Sequence, residues 1–282
     1  MDVPHFYGLL KADFPHQLTT KQDIALQLLS KFAISNEKNE VFLLKGYAGT
    51  GKTTIIGTLV KNLWKAQKSF SLLAPTGRAA KVISNYSGKE AFTIHKKIYY
   101  PKSQKGGGVS FTLQNNKSRN QIFIVDEASM IPDIKQDSKL FENGSLLDDL
   151  IQYVYSGHNC RLLLIGDTAQ LPPIKLDISP ALDVQILENQ FDKTVTAIEL
   201  DEVVRQQQES GILENATRLR AVLDDGFFES FKFSIDNYPD VIRPIDGMEV
   251  LDAITDSYSE SGEDDAVFIV RSNKRANLYN QN

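Results

Sequence analysis

Short continuous apolar runs recur along the chain, separated by stretches with helical spacing. Val41–Leu44, Ser69–Ala74, Ile122–Val125, Leu162–Ile165 and Thr196–Leu200 each read as a strand. Between them, the spacing predicts helices from about Thr20 to Phe32, Ile55 to Trp64, Ala79 to Ser84 and Thr93 to Tyr99. Thr19 or Thr20 can cap the first of these, and Ile24, Leu26, Leu28 and Leu29 give it apolar faces. Strands that are apolar throughout, alternating with helices, predict an α/β fold whose parallel sheet is covered on both faces. Ligands of such sheets bind beyond the carboxyl ends of the strands.

Two stretches depart from this rhythm. Tyr100 to Asn120 contains Gly106-Gly107-Gly108 and then an alternating run, Val109–Leu113, so a small inserted hairpin is expected there. After about Gly211 the pattern changes to amphipathic helices near Ile212–Leu223 and Met248–Tyr258, with a strand at Ala266–Val270. The expected division is a first domain over 1–210 and, over 211–282, a linker helix and the start of a second α/β domain.

The densest chemistry lies between the first strand and the second helix. Gly46-Tyr47-Ala48-Gly49-Thr50-Gly51-Lys52-Thr53-Thr54 fits the phosphate-binding loop pattern G-x-x-x-x-G-K-[ST]. Its glycines let backbone N–H groups surround an anion, and the helix N-terminus adds partial positive charge. Lys52 can neutralise the β- and γ-phosphates of ATP, and the Thr53 hydroxyl can ligate Mg²⁺. Asp126-Glu127 follows the third strand: Asp126 would hold Mg²⁺ through its water shell, and Glu127 would activate the attacking water. Gly166-Asp167-Thr168-Ala169-Gln170 follows the fourth, bringing the Gln170 amide near the γ-phosphate.

Totals add restrictions. The net charge of −5 excludes a generally basic nucleic-acid binder, so any such site must be a local patch. No apolar run is long enough for a transmembrane helix, and the N-terminus lacks signal-peptide character. Cys160 is the sole cysteine, which rules out an internal disulfide and agrees with a cytoplasmic setting.

Together these motifs resemble superfamily 1 DNA helicases of the RecD-like and Dda-like branch, over about residues 15 to 275. Gly46–Thr53 is similar to motif I, Ala74–Ala80 to motif Ia, Thr93-Ile94-His95 to the short motif after it, and Val125–Met130 to motif II. Gly166–Pro173 is similar to motif III, Leu200–Gln206 to motif IV, and Leu18–Gln22 to the adenine-reading glutamine motif. The resemblance implies a RecA-like ATPase that moves 5′ to 3′ on single-stranded DNA and parts duplexes in repair or recombination, with ATP and Mg²⁺ as cofactors and the monomer as its working form. It also implies that Gln22 reads adenine and that Arg205 reaches the γ-phosphate. Thr76, Gly77, Arg78, His95 and Asn273 would contact DNA. The family's motifs V and VI lie in a second RecA-like domain and have no match before Asn282. The expectation is therefore an amino-terminal fragment that binds Mg·ATP but turns it over slowly. The competing reading is a nucleotide-regulated binding module without motor activity, which the acidic balance favours and motifs Ia and III oppose.

Overall fold

The computed structural model describes residues 1–103, 109–133, 145–174, 176, 178–202, 210–225, 231–235, 238–262 and 266–281. The chain forms two compact units, Met1–Arg205 and Gln206–Asn282.

The first unit is built on strands β1 (Glu40–Gly46), β2 (Ser69–Ala74), β3 (Ala91–Thr93), β6 (Gln121–Val125), β7 (Arg161–Gly166) and β8 (Thr194–Leu200). They form one sheet in the order β3-β2-β6-β7-β1-β8, with every neighbouring pair parallel. The pleat sends alternate residues to opposite faces. Phe42, Leu44, Ile122, Ile124, Leu163 and Ile165 join one core with helices α1 (Val3–Ala12), α2 (Thr20–Ile34) and α3 (Lys52–Asn62). Val41, Leu43, Phe123, Val125, Leu162 and Leu164 join the other. There they meet α5 (Ile94–Ile98), α6 (Leu146–Ser156) and α7 (Val184–Asn189). Full burial of each such side chain contributes about 1.5–3 kcal/mol, which is why central strands are apolar at every position. The fold is the α/β architecture expected, with helices on both faces of a parallel sheet. Helix α4 (Gly77–Ser87) follows β2, and the hairpin β4 (Tyr99–Ser103) with β5 (Val109–Leu113) stands apart as an antiparallel pair. The Tyr99 hydroxyl pins the base of this hairpin, donating to the buried Asp149 carboxylate of α6 at 2.5 Å.

Four elements go beyond the sequence reading: α1, β3, α6 and α7, the last capped by Asp183. Helix α1 forms because Asp2 caps it, accepting from the His5 N–H at 3.0 Å, and because Phe6 and Leu10, one turn apart, are buried. Strand β3 is three residues long, too short for periodicity to show. Helix α6 begins at a Ser145 cap and buries Leu147, Leu150, Ile151 and Val154.

The second unit contains α8 (Gly211–Asp225), α9 (Gly247–Ser261) and α10 (Asn273–Tyr279). Asp240 caps α8, accepting from the Gly211 and Ile212 N–H groups and the Ser210 hydroxyl. The strand expected at Ala266–Val270 does not form. A strand leaves its backbone groups unpaired unless a neighbour completes the ladder, and among the described residues of this unit no strand offers one. No helix among the described residues is long and apolar enough to cross a membrane.

Candidate nucleotide-binding site

The sheet order places the carboxyl ends of β6, β7 and β1 side by side. At those ends a cavity of about 550 Å³ opens, lined by Ala48, Gly49, Gly51, Lys52, Thr53 and Thr54 from the loop after β1. Asp126 and Glu127 enter from β6, Asp167 and Gln170 from the turn after β7, and Gln22 from α2. Gly46 and Thr50 stand behind this wall. A Cβ on Gly46 would lie 2.8 Å from the Leu200 carbonyl oxygen of β8, so the loop can leave the sheet here only without a side chain. Thr50 is fully buried, and its hydroxyl donates to the Tyr47 carbonyl at 2.8 Å.

The loop takes its curvature from Gly49 and Gly51, whose φ angles are +82° and +91°. Gly51 is the cap residue of α3, so the N–H groups of its first turn open toward the cavity. Lys52 Nζ donates to the carbonyl oxygens of Gly46 at 2.5 Å and Tyr47 at 2.9 Å. This arrangement holds a cation at the centre of the loop, where an anionic phosphate would compete for it.

Gln22 has a firm structural position. Its Oε1 accepts from the Thr19 N–H at 3.1 Å, and the Thr19 hydroxyl accepts from the Gln22 N–H, which closes a capping box. Its Nε2 donates to the Thr50 carbonyl at 3.0 Å. The side chain therefore ties the start of α2 to the loop.

The acidic pair is held just as closely. Asp126 Oδ2 accepts from the Tyr86 hydroxyl at 2.9 Å, and Oδ1 accepts from the Glu127 N–H at 3.0 Å. Burial and the facing Asp126 charge push the Tyr86 phenol far above its ordinary value, so it stays a donor. Glu127 adopts a left-handed backbone, φ 53° and ψ 38°, a conformation that costs a non-glycine residue on the order of 1–3 kcal/mol. Burial, and next the Asp126 charge, raise the Glu127 carboxyl, while Lys52 and a hydrogen bond from Gln170 pull it down. Asp167 shapes the opposite wall: its Oδ1 accepts from the Ala169 N–H at 2.9 Å and its carbonyl from the Gln170 N–H at 3.2 Å. That turn aims Gln170 back at Glu127, and Ser129 donates to the Gln170 Oε1 at 3.4 Å.

These residues suit Mg·ATP. Positive-φ glycines, a helix start and Lys52 make an anion cradle. The Thr53 hydroxyl and the Asp126 carboxylate are hard oxygen donors, as Mg²⁺ prefers. Among the described residues no cluster of three or more His, Cys, Asp or Glu side chains forms a metal cage. The donors on hand match an ion that shares its coordination with nucleotide phosphates.

A family model described as an AAA domain matches residues 17–226. The chain belongs to the AAA domain family. An uncharacterized protein of Methanocaldococcus jannaschii is 33% identical over 162 residues, covering 53% of this chain and 13% of that protein. The ATP-dependent RecD2 DNA helicase of Deinococcus radiodurans is 28% identical over 179 residues, 63% of this chain and 21% of the helicase. The ATP-dependent DNA helicase dda of Enterobacteria phage T4 is 32% identical over 161 residues, 56% of this chain and 33% of the helicase. The chain thus spans at most a third of the length of these three relatives. Two of them carry the helicase names to which the sequence motifs pointed.

Within this AAA domain, the expected residues Thr76, Gly77, Arg78 and His95 do not line the cavity. Thr76 caps α4, accepting from the Ala79 N–H at 3.2 Å, with Gly77 and Arg78 exposed in its first turn. Thr93 caps α5 in the same way, and β3 pairs with β2 so that Thr93 lies opposite Ala74. His95 is exposed on α5, its ring 5.7 Å from that of Tyr99. Asn273 opens α10 in the second unit. Arg205 lies outside the described residues.

The cavity also has walls that the sequence reading missed. Phe14 and His16 precede α2, and Val82 and Tyr86 stand one turn apart on α4. The α4 pair carries a faint signal in its four-residue spacing. Phe14 and His16 lie in a link without periodicity and give none.

Proposed function

We propose that this chain is the ATP-hydrolysing motor core of a DNA helicase. The carrying observation is the convergence of Lys52, Asp126, Glu127 and Gln170 on one cavity at adjoining strand ends. In this reading the loop and the start of α3 hold the phosphates, while Lys52 takes charge from the β- and γ-oxygens. Thr53 and Asp126 would hold Mg²⁺, which would supply charge neutralisation on the phosphates. Glu127 accepts the proton of the attacking water, and its left-handed backbone turns the carboxylate into the cavity. Gln170 bonds the same carboxylate, and in this reading its amide would report the γ-phosphate. An amide has two N–H donors, so Gln22 keeps one beyond its Thr50 bond for an adenine edge. Arg205 is the candidate for a further cationic contact, by resemblance.

Single-stranded DNA is the proposed track. Its support is the pair of capped helix starts at neighbouring strand ends, with Thr76, Gly77 and Arg78 on one and His95 close behind the other. Phosphates bind readily at such termini. Movement 5′ to 3′ and a role in repair or recombination rest on the likeness to RecD-like and Dda-like helicases. The test is ATP binding and turnover by the full chain with and without single-stranded DNA, beside Lys52→Ala. We expect Lys52→Ala to lose nucleotide binding or turnover, and DNA to raise turnover or tighten ATP binding. Nucleotide binding that ignores DNA at every concentration would favour the binding-module reading instead.

A further inference from the structure

The hydrogen bond from Tyr86 to Asp126 joins residues 40 positions apart and is not one of the contacts the motifs imply. Tyr86 belongs to α4, whose Val82 and Tyr86 together form a wall of the cavity. Its ring packs against the first apolar core, while its hydroxyl reaches Asp126 Oδ2 at 2.9 Å. The other carboxylate oxygen is engaged by the Glu127 N–H at 3.0 Å. The carboxylate is thus gripped once on each oxygen, which defines its plane. Each oxygen has two lone pairs, so one on each is left for a cation or its water shell.

We propose that Tyr86 is a positioning residue that holds the Asp126 carboxylate in the orientation needed to load the divalent cation with the nucleotide. This rests on the reading of the cavity as an Mg·ATP site. Partners that orient a metal-binding group typically change metal affinity by about 10–100-fold when removed. Tyr86→Phe deletes only the hydroxyl and keeps the ring that packs on the core.

The experiment measures the affinity of the full chain for a fluorescent ATP analogue during a Mg²⁺ titration and in EDTA. For Tyr86→Phe we expect the Mg²⁺ concentration at half-effect to rise roughly tenfold. Affinity in EDTA should stay at the wild-type value, and the thermal unfolding midpoint should fall only by what the loss of one hydrogen bond to a half-buried carboxylate costs. In an Asp126→Asn background, Tyr86→Phe should add no further shift. An unshifted Mg²⁺ midpoint beside a responsive wild type overturns the positioning role alone. So does a shift of the same size in the Asp126→Asn background, because Tyr86 would then act elsewhere. A wild-type chain whose nucleotide binding ignores Mg²⁺ overturns both this proposal and the cavity reading beneath it.

Discussion

Replacing Gln22 by alanine tests how the phosphate loop is held. The side chain is 2% exposed and makes two bonds that differ in kind. Its Nε2 satisfies the carbonyl of Thr50, a residue with no solvent exposure, so losing that donor strands a buried acceptor at about 1–3 kcal/mol. Its Oε1 completes the capping box with Thr19, a contribution of about 0.3–1.5 kcal/mol. The expected loss is about 2–4 kcal/mol. At about 2–4 °C per kcal/mol for a unit of this size, calorimetry should show the unfolding midpoint falling by roughly 5–15 °C. Nucleotide affinity should fall with it, because the loop loses its tie to α2. Gln22→Glu keeps an acceptor for Thr19 but turns a carboxylate oxygen toward the Thr50 carbonyl, so it should be no more stable than Gln22→Ala. A Gln22→Ala midpoint within about 1 °C of wild type, with unchanged affinity, would refute this account of the loop.

Further outcomes follow from the same geometry. Glu127 has a folded-state pKa above its ordinary 4.5, so its stabilising share is complete below that value and is lost as pH rises through the raised one. Glu127→Gln should therefore unfold at a higher temperature than wild type at neutral pH, with the advantage fading below about pH 4.5, while ATP turnover is abolished. Wild-type turnover should decline on acidification as Glu127 gains the proton that blocks its action as a base, and a flat profile down to pH 4.5 would count against that role. Arg161 is 1% exposed, lies 3.6 Å from Glu40, and donates to the Phe32 and Ala33 carbonyls at the end of α2. Arg161→Ala should cost about 3–5 kcal/mol in urea unfolding because it leaves a buried carboxylate uncompensated. Adding Glu40→Leu to that variant should recover part of the loss, and no recovery would show that the Arg161 contacts to α2 dominate.

Much of the fold was legible in the chain. Central strands of a parallel sheet are buried on both faces, so their apolar runs show plainly, and five of six were read. The loop, Asp126-Glu127 and the stretch to Gln170 were legible because each is local and follows a strand end. Strand β3 was missed for its length, and helices α1, α6 and α7 were missed although each starts at a capping residue, Asp2, Ser145 and Asp183. The expected strand at Ala266–Val270 was misread because strand formation depends on a neighbour that local pattern cannot reveal.

What the sequence determined by itself is the identity of groups adjacent along the chain: which loop cradles an anion, which strand ends in two carboxylates, which helix has a threonine cap. What only the tertiary structure decided is which distant groups meet. That Lys52, Asp126 and Asp167 gather at the strand ends was expected from the chain, but the order β6-β7-β1 that seats them around one cavity was not. Gln22 becomes a strut of the phosphate loop, and Tyr86 a hand on Asp126. The physical reason is range. Caps, turns and pleats are set by bonds within a few residues, whereas these contacts exist only after both apolar cores have closed around the sheet.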